Sequence, residues 1–514
     1  MASHKTITLS IFVLILLLAC GLGFMAVFGN FDTNEGWYAN DLFLVSQGMR
    51  PYEDFFYHRL PLFLYSFVPF QSFISIDWIT LRIFSALFLW LAACGLVWLL
   101  WGRVRPALIC LAIGLLCVNI HGLHIFATVQ VYSIVAFFYI VILLVVEKVR
   151  TAWLSVLFFA CLCVVAQWMR YPIDYLPFVF FLYLFVVFWG RWSLMLLGLV
   201  VYVSLHAFLL SQFASEKFFH HIIFGMNPFQ YLQGELPKLE FGSMAWLRYK
   251  SDWLLSGVRW FFPLLLLGFP LLVVFFSRYK FRFWLNRSFL AKHRGAWLAF
   301  LLVTGNTSMY LLAPEGHPVQ LYYIFPVLLY LLCHLLDWGF SFSPPMPRYA
   351  FSTMTFVLVL SAPWLHDRDV RLSSTARDTA IVAQIATELK KHCSAGEELL
   401  TFTPLVAMAS AMRVTPGLEF ETFSYFDSLS TSEAAQYGLM NRELLVQRVQ
   451  EKQPCAIHLD NRFHQTQGNA ARLRAMQKDF LRTVTFHYLP PSSLAETGWE
   501  ALRGPVFLYF RRES

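Results

Sequence analysis

Residues 31–62 read FDTNEGWYANDLFLVSQGMRPYEDFFYHRLPL and hold the carboxylates Asp32, Glu35, Asp41, Glu53 and Asp54, the pair His58 and Arg59, and aromatic residues from Trp37 to Tyr57. A positioned carboxylate can take a proton from a hydroxyl group. An arginine nearby can hold an anionic oxygen. The stretch lies between apolar runs at 7–28 and 79–101. An acidic, aromatic-rich loop held at both ends by such runs suits chemistry at a membrane surface. Two of its residues also have plain structural uses. Asp32 and Asn34 stand where they would cap a helix beginning near Glu35. Asp54 either caps a turn or, with His58 four residues on, holds a divalent metal, the one cofactor this reading admits.

The elements that place this loop follow from composition. The chain has 514 residues, 58% apolar and 18% aromatic, with 14% charged and a mean hydropathy of +0.57. A soluble protein carries roughly 25% charged residues. The composition predicts a polytopic α-helical membrane protein. The net charge of +8 does not signal nucleic-acid binding, because the basic residues fall between apolar runs, where they set topology. The opening MASHK and the apolar run after it lack a small-residue cleavage site and read as a retained span.

Apolar runs predict about eleven transmembrane helices, at 7–28, 79–101, 106–121, 125–146, 152–169, 173–189, 192–213, 258–277, 296–313, 319–337 and 349–366. The run at 61–74 is short, carries two prolines, and reads as an interfacial or re-entrant segment. With the N-terminus inside, the cytoplasmic loops are 102–106, 147–151, 190–191, 277–295 and 338–348, and the loop 277–295 holds Arg278, Lys280, Arg282, Arg287, Lys292 and Arg294. The short outer loops 119–124 and 314–318 contain no Lys or Arg. That asymmetry is the positive-inside pattern and places both the first loop and the C-terminus outside. A second long external segment, 214–257, carries His220 and His221. They are candidate metal or substrate contacts, although neighbours on a helix point to different faces.

Composition changes near residue 366. Helical and strand patterns then alternate, with strands at LLTFT, CAIHLD and PVFLYFRR and helices at PLVAMASAMR, NRELLVQRVQEKQ and RLRAMQKDFLRTV. The expected organisation is a transmembrane domain over 1–366, with a first external loop at 29–78, and a small extracytoplasmic α/β domain over 367–514. No Gly-rich phosphate loop follows its strands. Cys393 and Cys455 lie in this part and can pair if it faces an oxidising compartment.

Four places carry a resemblance to a known group: Asn34-Glu35-Gly36-Trp37-Tyr38; Gly48 through Pro51-Tyr52, Asp54-Phe55-Phe56 and on to Pro61-Leu62; Arg82 near the start of a span; and Gly316-His317-Pro318 through Gln320 to Tyr322-Tyr323 and Pro326. The stretch is similar to the first external loop of polyprenyl-phosphate-sugar-dependent glycosyltransferases of the integral-membrane GT-C superfamily, which includes the protein-mannosyltransferase and aminoarabinose-transferase families. The resemblance covers the first hundred residues well and the later spans loosely. It implies transfer of a sugar from a polyprenyl-phosphate carrier to a lipid, glycan or protein hydroxyl on the external face of the cell membrane. The general base would be Glu35 or Asp32, with Asp54 as second choice. The family's aspartate falls at Asn34, and an amide cannot act as a base. Arg170, Arg59 and Arg82 would hold the lipid phosphate, and His58, His317 and Tyr322 would touch substrate or a metal. A single base acting by direct displacement inverts the anomeric centre. Two other readings stay open: a transporter or flippase for a lipid-linked glycan, and a glycan polymerase or ligase. Against the transporter stand the absence of an internal repeat and the clustering of the acidic groups in an external loop.

Overall fold

Runs of Leu, Val, Ile and Phe without polar breaks satisfy their backbone in lipid by forming helices. The chain was analysed as a computed structural model that describes residues 4–29, 35–73, 77–169, 175–226, 293–312, 322–342, 375–419, 424–426, 429–451, 453–459, 492–497 and 504–511. Its first helices are α1 (His4–Phe28), α2 (Glu35–Ser46), α3 (Leu62–Phe67), α4 (Trp78–Leu100), α5 (Pro106–Val118) and α6 (Ile120–Ala127). There follow α7 (Tyr132–Lys148), α8 (Ala152–Trp168), α9 (Leu176–Val187), α10 (Trp192–Phe213), α11 (Glu216–Met226), α12 (Arg294–Leu312) and α13 (Phe325–Phe342). The C-terminal part holds α14 (Thr375–His392), α15 (Pro404–Ser410), α16 (Thr431–Tyr437) and α17 (Arg442–Gln450). By contacts the chain divides into two compact units: Met1–Gly29, Arg82–Ser211 and Leu239–Val370, and then Asn30–Leu81, Gln212–Lys238 and Arg371–Ser514.

In the first unit, α1, α4 and α10 are long and apolar enough to cross a bilayer, and α5 with α6 makes a fourth if the bent pair is one span. Helices α8 and α9 are apolar and shorter. The expected runs 258–277 and 349–366 lie outside the described residues. Leu9, Phe12, Phe178 and Leu196 are exposed, as lipid-facing side chains are. Two expected boundaries are corrected. The runs drawn at 106–121 and 125–146, with a loop at 119–124 between them, are instead α5, a break at Asn119, the short helix α6, and α7. The cause is local: the Asn119 side chain accepts from Gly122 N at 2.8 Å and starts a new helix, turned 71° from α5. Polar residues then tie helix ends together. Arg103 pairs with Glu147, Gly295 N donates to Glu147 Oε1 at 2.7 Å, and Arg105 lies 3.6 Å from Asp337. The approach at Gly295 is close, and a Cβ there would meet the Glu147 side chain.

The second unit contains the first loop, α11 and the C-terminal part. The segment 61–74 does not span: α3 has 6 residues and a single 3-10 turn, Val68–Phe70, follows it. Six residues of helix rise about 9 Å, against roughly 30 Å of hydrocarbon. Strands β1 (Glu398–Thr401), β2 (Arg413–Val414), β3 (Ala456–Leu459), β4 (Ser492–Thr497) and β5 (Gly504–Phe510) form one sheet in the order β2-β1-β3-β5-β4. The β1 pairings to β2 and β3 are parallel, and those of β5 to β3 and β4 antiparallel. Strands β1, β3 and β5 and helices α15 and α17 fall where the sequence patterns put them, and the helix expected at RLRAMQKDFLRTV lies outside the described residues. Helix α15 packs against α2 of the first loop.

Cys393, after α14, and Cys455, before β3, form a disulfide with Cα atoms 6.0 Å apart. The bond closes a loop across a separation of 62 residues, so it restricts the unfolded chain strongly. Removing it as Cys393→Ala with Cys455→Ala is expected to lower stability by about 2–4 kcal/mol. Thermal melts of the whole protein with and without reductant measure this, and coincident melts would refute it.

Candidate active site

In the second unit, α2 opens on Glu35, whose carboxylate is fully buried in the first helical turn. Negative charge is favoured there by the helix dipole. Helix α2 ends at Ser46, and Gly48, two residues on, takes φ +85 and turns the chain toward Pro51. The turn is closed by Asp54, whose Oδ2 accepts from Arg50 N at 2.7 Å while Asp54 N donates to Arg50 O at 2.9 Å. Asp54 is exposed and acts here as a turn cap. Tyr52 within the turn takes φ +71, a conformation that side chains resist, and is held by Tyr52 N donating to Phe55 O at 3.0 Å. The Tyr52 hydroxyl donates to the Arg59 carbonyl. A strained and buried tyrosine thus fixes the backbone at Arg59.

The Arg59 guanidinium lies 4.5 Å from the Tyr38 ring centre and 5.0 Å from that of Trp37, and its Nε donates to His58 Nε2 at 3.1 Å. Each cation–ring contact adds about 0.5–1 kcal/mol of orientation. The His58 ring stacks on Trp37 at 5.6 Å with 4° between planes. Burial, with a smaller contribution from His221, lowers the His58 pKa to about 3, so the ring is neutral and accepts from Arg59. Tyr38 is three residues after Glu35 and shares its face of α2. Arg59 and His58 thus lie against Trp37 and Tyr38 in the first turn of α2, the turn that begins with the buried Glu35.

The remaining expected residues are placed as follows. Arg82 belongs to the first unit, is fully buried, and donates through Nη1 to Gly29 O at 2.7 Å and Ala26 O at 3.4 Å. It caps the C-terminal end of α1, as cations at helix ends do. Gly29 also packs tightly, since a Cβ there would stand 2.9 Å from His124 Nδ1. Tyr322, also in the first unit, is fully buried against Phe126 at 5.9 Å and His121 at 5.6 Å. Asp32, Arg170 and His317 lie outside the described residues. For a divalent metal, Asp54 is committed to its turn and His58 Nε2 to Arg59. Among the described residues, the one group with three ligand atoms at metal spacing is Cys393, Glu397 and Cys455. Two of its members are the disulfide sulfurs.

Two further features of this unit lie near the site. Asp41, on α2, is buried with its Oδ1 unpaired, and burial with the nearby Glu419 pushes its carboxyl well above the usual range. Burial likewise raises Glu419 to about 8, although Gly417 N donates to its Oε2 at 2.8 Å. Helix α11 lies over residues 52–58 and carries His220 and His221 in different directions, as expected of neighbours on a helix. Burial lowers His221 to about 4, and the ring is neutral.

No protein-family model matches the sequence, and no curated protein matches it. Among solved structures the chain is similar to ArnT from Cupriavidus metallidurans in its apo state, with a TM-score of 0.58 and 12% identity over 97% of this chain and 97% of that one. The same protein bound to undecaprenyl phosphate matches at 0.58 and 13%, over 99% of this chain and 98% of that one. The oligosaccharyltransferase AglB from Archaeoglobus fulgidus, in complex with an inhibitory peptide and a dolichol-phosphate, matches at 0.48 and 10%, over 98% and 76%. The chain shares the fold of ArnT along nearly its whole length.

Proposed function

We propose that this chain is an integral-membrane glycosyltransferase that moves a sugar from a polyprenyl-phosphate carrier to a lipid, glycan or protein hydroxyl on the external face of the membrane. The observation that carries the reading is Arg59 seated on Trp37 and Tyr38 in the helical turn that begins with the buried Glu35, in a chain with the fold of a protein crystallised with undecaprenyl phosphate. In the proposed step Glu35 takes the acceptor hydroxyl proton as the oxygen attacks the anomeric carbon. The bond from that carbon to the phosphate oxygen breaks, and its electron pair leaves with the polyprenyl phosphate. Arg59 balances the charge that develops there. One displacement inverts the anomeric centre. Asp32 is the alternative base, and Arg170 a second phosphate contact; Arg82, turned to carbonyls of α1, is assigned a structural role in this reading. No metal is routed through the step.

The external placement has two supports. Disulfides persist in oxidising compartments, and Cys393 and Cys455 are joined. Segments that the charge pattern puts on the inner side, around Arg103, Glu147 and Gly295, are bonded to one another. About eleven spans with the C-terminal part outside remains the topology we propose.

Purified protein given a labelled polyprenyl-phosphate sugar and an acceptor membrane extract is expected to release free polyprenyl phosphate and a labelled product of inverted configuration. Full activity in both Glu35→Gln and Asp32→Asn would end the base assignment, and no transfer by the wild type to any acceptor would end the reading. Arg59→Lys is expected to raise the donor KM about tenfold, because an ammonium lacks the flat fork that lies on Trp37 and Tyr38. An unchanged KM would remove Arg59 from the phosphate.

A further inference from the structure

We propose that His221 is the positioning residue through which the C-terminal part of the chain holds Tyr57, and with it His58 and Arg59, in working order. Its ring spans two backbone groups. Tyr57 N donates to His221 Nδ1 at 3.4 Å, and His221 Nε2 lies 2.6 Å from the carbonyl of Tyr437, the last residue of α16. One neutral tautomer serves both ends: a proton on Nε2 meets the carbonyl, and the bare Nδ1 receives the amide. Neither nitrogen is left over for a metal or a substrate in this arrangement.

The surrounding contacts make the link directional. The His221 ring lies 4.7 Å from Phe56 and 6.0 Å from Tyr52, and Phe218, one turn earlier on the same face, meets Tyr52 at 4.8 Å. Lys217 Nζ donates to Glu53 O at 3.3 Å. That face of α11 covers the turn carrying Tyr52, whose hydroxyl holds the Arg59 carbonyl. The other face meets α16: His220 packs on the Tyr437 ring at 4.2 Å, and Gln436 Nε2 donates to Glu216 Oε1 at 3.4 Å. Helix α11 is a strap with the catalytic loop on one side and α16 on the other, and the His221 side chain is hydrogen-bonded to both. The C-terminal part then has a share in catalysis without touching substrate.

The inference rests on the active-site reading for its consequence but not for its geometry, so two readouts are needed. In the full-length protein in lipid nanodiscs, His221→Phe keeps the ring volume and removes both hydrogen bonds. Amide exchange over residues 55–60 is expected to speed up about tenfold, with kcat for transfer down about tenfold and the acceptor KM unchanged. His221→Gln restores an acceptor and a donor at similar spacing and is expected to recover most of both. His220→Ala, which loses the Tyr437 ring contact and the 3.9 Å approach to Glu216 but no bond to residues 55–60, is expected to leave exchange there near the wild-type rate. Unchanged exchange in His221→Phe, or a Gln variant no better than the Phe variant, would overturn the link. A wild-type protein that transfers no sugar would instead remove the active-site reading and leave the exchange result to decide the link alone.

Discussion

Glu35→Gln is expected to lower kcat by about a thousandfold while the donor KM moves less than about threefold. The substitution keeps the shape of the side chain and one acceptor oxygen, turns the other into an NH2 donor, and removes the negative charge and with it the basicity. The carboxylate is buried in the first turn of α2, so water does not readily take its place as a base. The cation is held by other groups: Arg59 rests on Trp37, Tyr38 and His58. Charge on the departing phosphate is then still met in the variant, and donor affinity survives. An interaction made only as the acceptor proton leaves shows in kcat and not in binding. A variant that lost donor affinity in proportion to kcat would make Glu35 a binding group, and one with unchanged kcat would move the base to Asp32.

The first loop was readable because its signals are local. A carboxylate at a helix start, Gly48 before Pro51-Tyr52, and Asp54 four residues after Arg50 each act over a single turn, and the structure shows each doing so. Arg59 could be marked as an anion contact by type and place, but its seat on two rings of α2 needs the chain to fold back on itself. Arg82 shows the opposite limit. An arginine inside an apolar run is visible at a glance, whereas its partners are carbonyls 53 and 56 residues upstream, with no pattern of their own. The break at Asn119 was hidden by composition. One polar residue in a long apolar run does not disturb a window of about twenty, yet its side chain is enough to end one helix and begin another.

The same contrast explains what was missed. Tyr57, His221 and Tyr437 come from three distant stretches, and a histidine whose two nitrogens meet backbone groups leaves no residue pattern to find. Asp41 sits in the apolar surroundings of ANDLFLV, which hints at burial of one carboxylate but not at the second one facing it. Helix α2 packs on α15, and Glu419 follows nine residues after the end of that helix. The helix that offers Glu35 for chemistry thus also seats Asp41 where burial, with Glu419, pushes its carboxyl toward the neutral form.

That seat makes the second unit sensitive to alkali. Glu419 is raised to about 8 by burial, against Arg448, which acts to lower it, while Glu398 adds to the rise. Asp41 is displaced in the same direction. A carboxyl whose folded pKa exceeds its unfolded value binds its proton more tightly when folded. Its stabilisation is fully present below about pH 4.5 and is lost as pH climbs through 8. Each unit of displacement is worth about 1.4 kcal/mol, so the loss for Glu419 alone reaches on the order of 4–5 kcal/mol above pH 8. Glu419→Gln keeps an oxygen for the Gly417 amide and cannot ionise. The variant is therefore expected to match the wild type near pH 4.5, to exceed it by about 3 kcal/mol at pH 7, and to gain the full difference at pH 9. Melting of the full-length protein across that range measures this. A wild type that grows more stable toward pH 9, or a variant that follows it downward, would mean that the buried pair is ionised and that α2 is seated by charge.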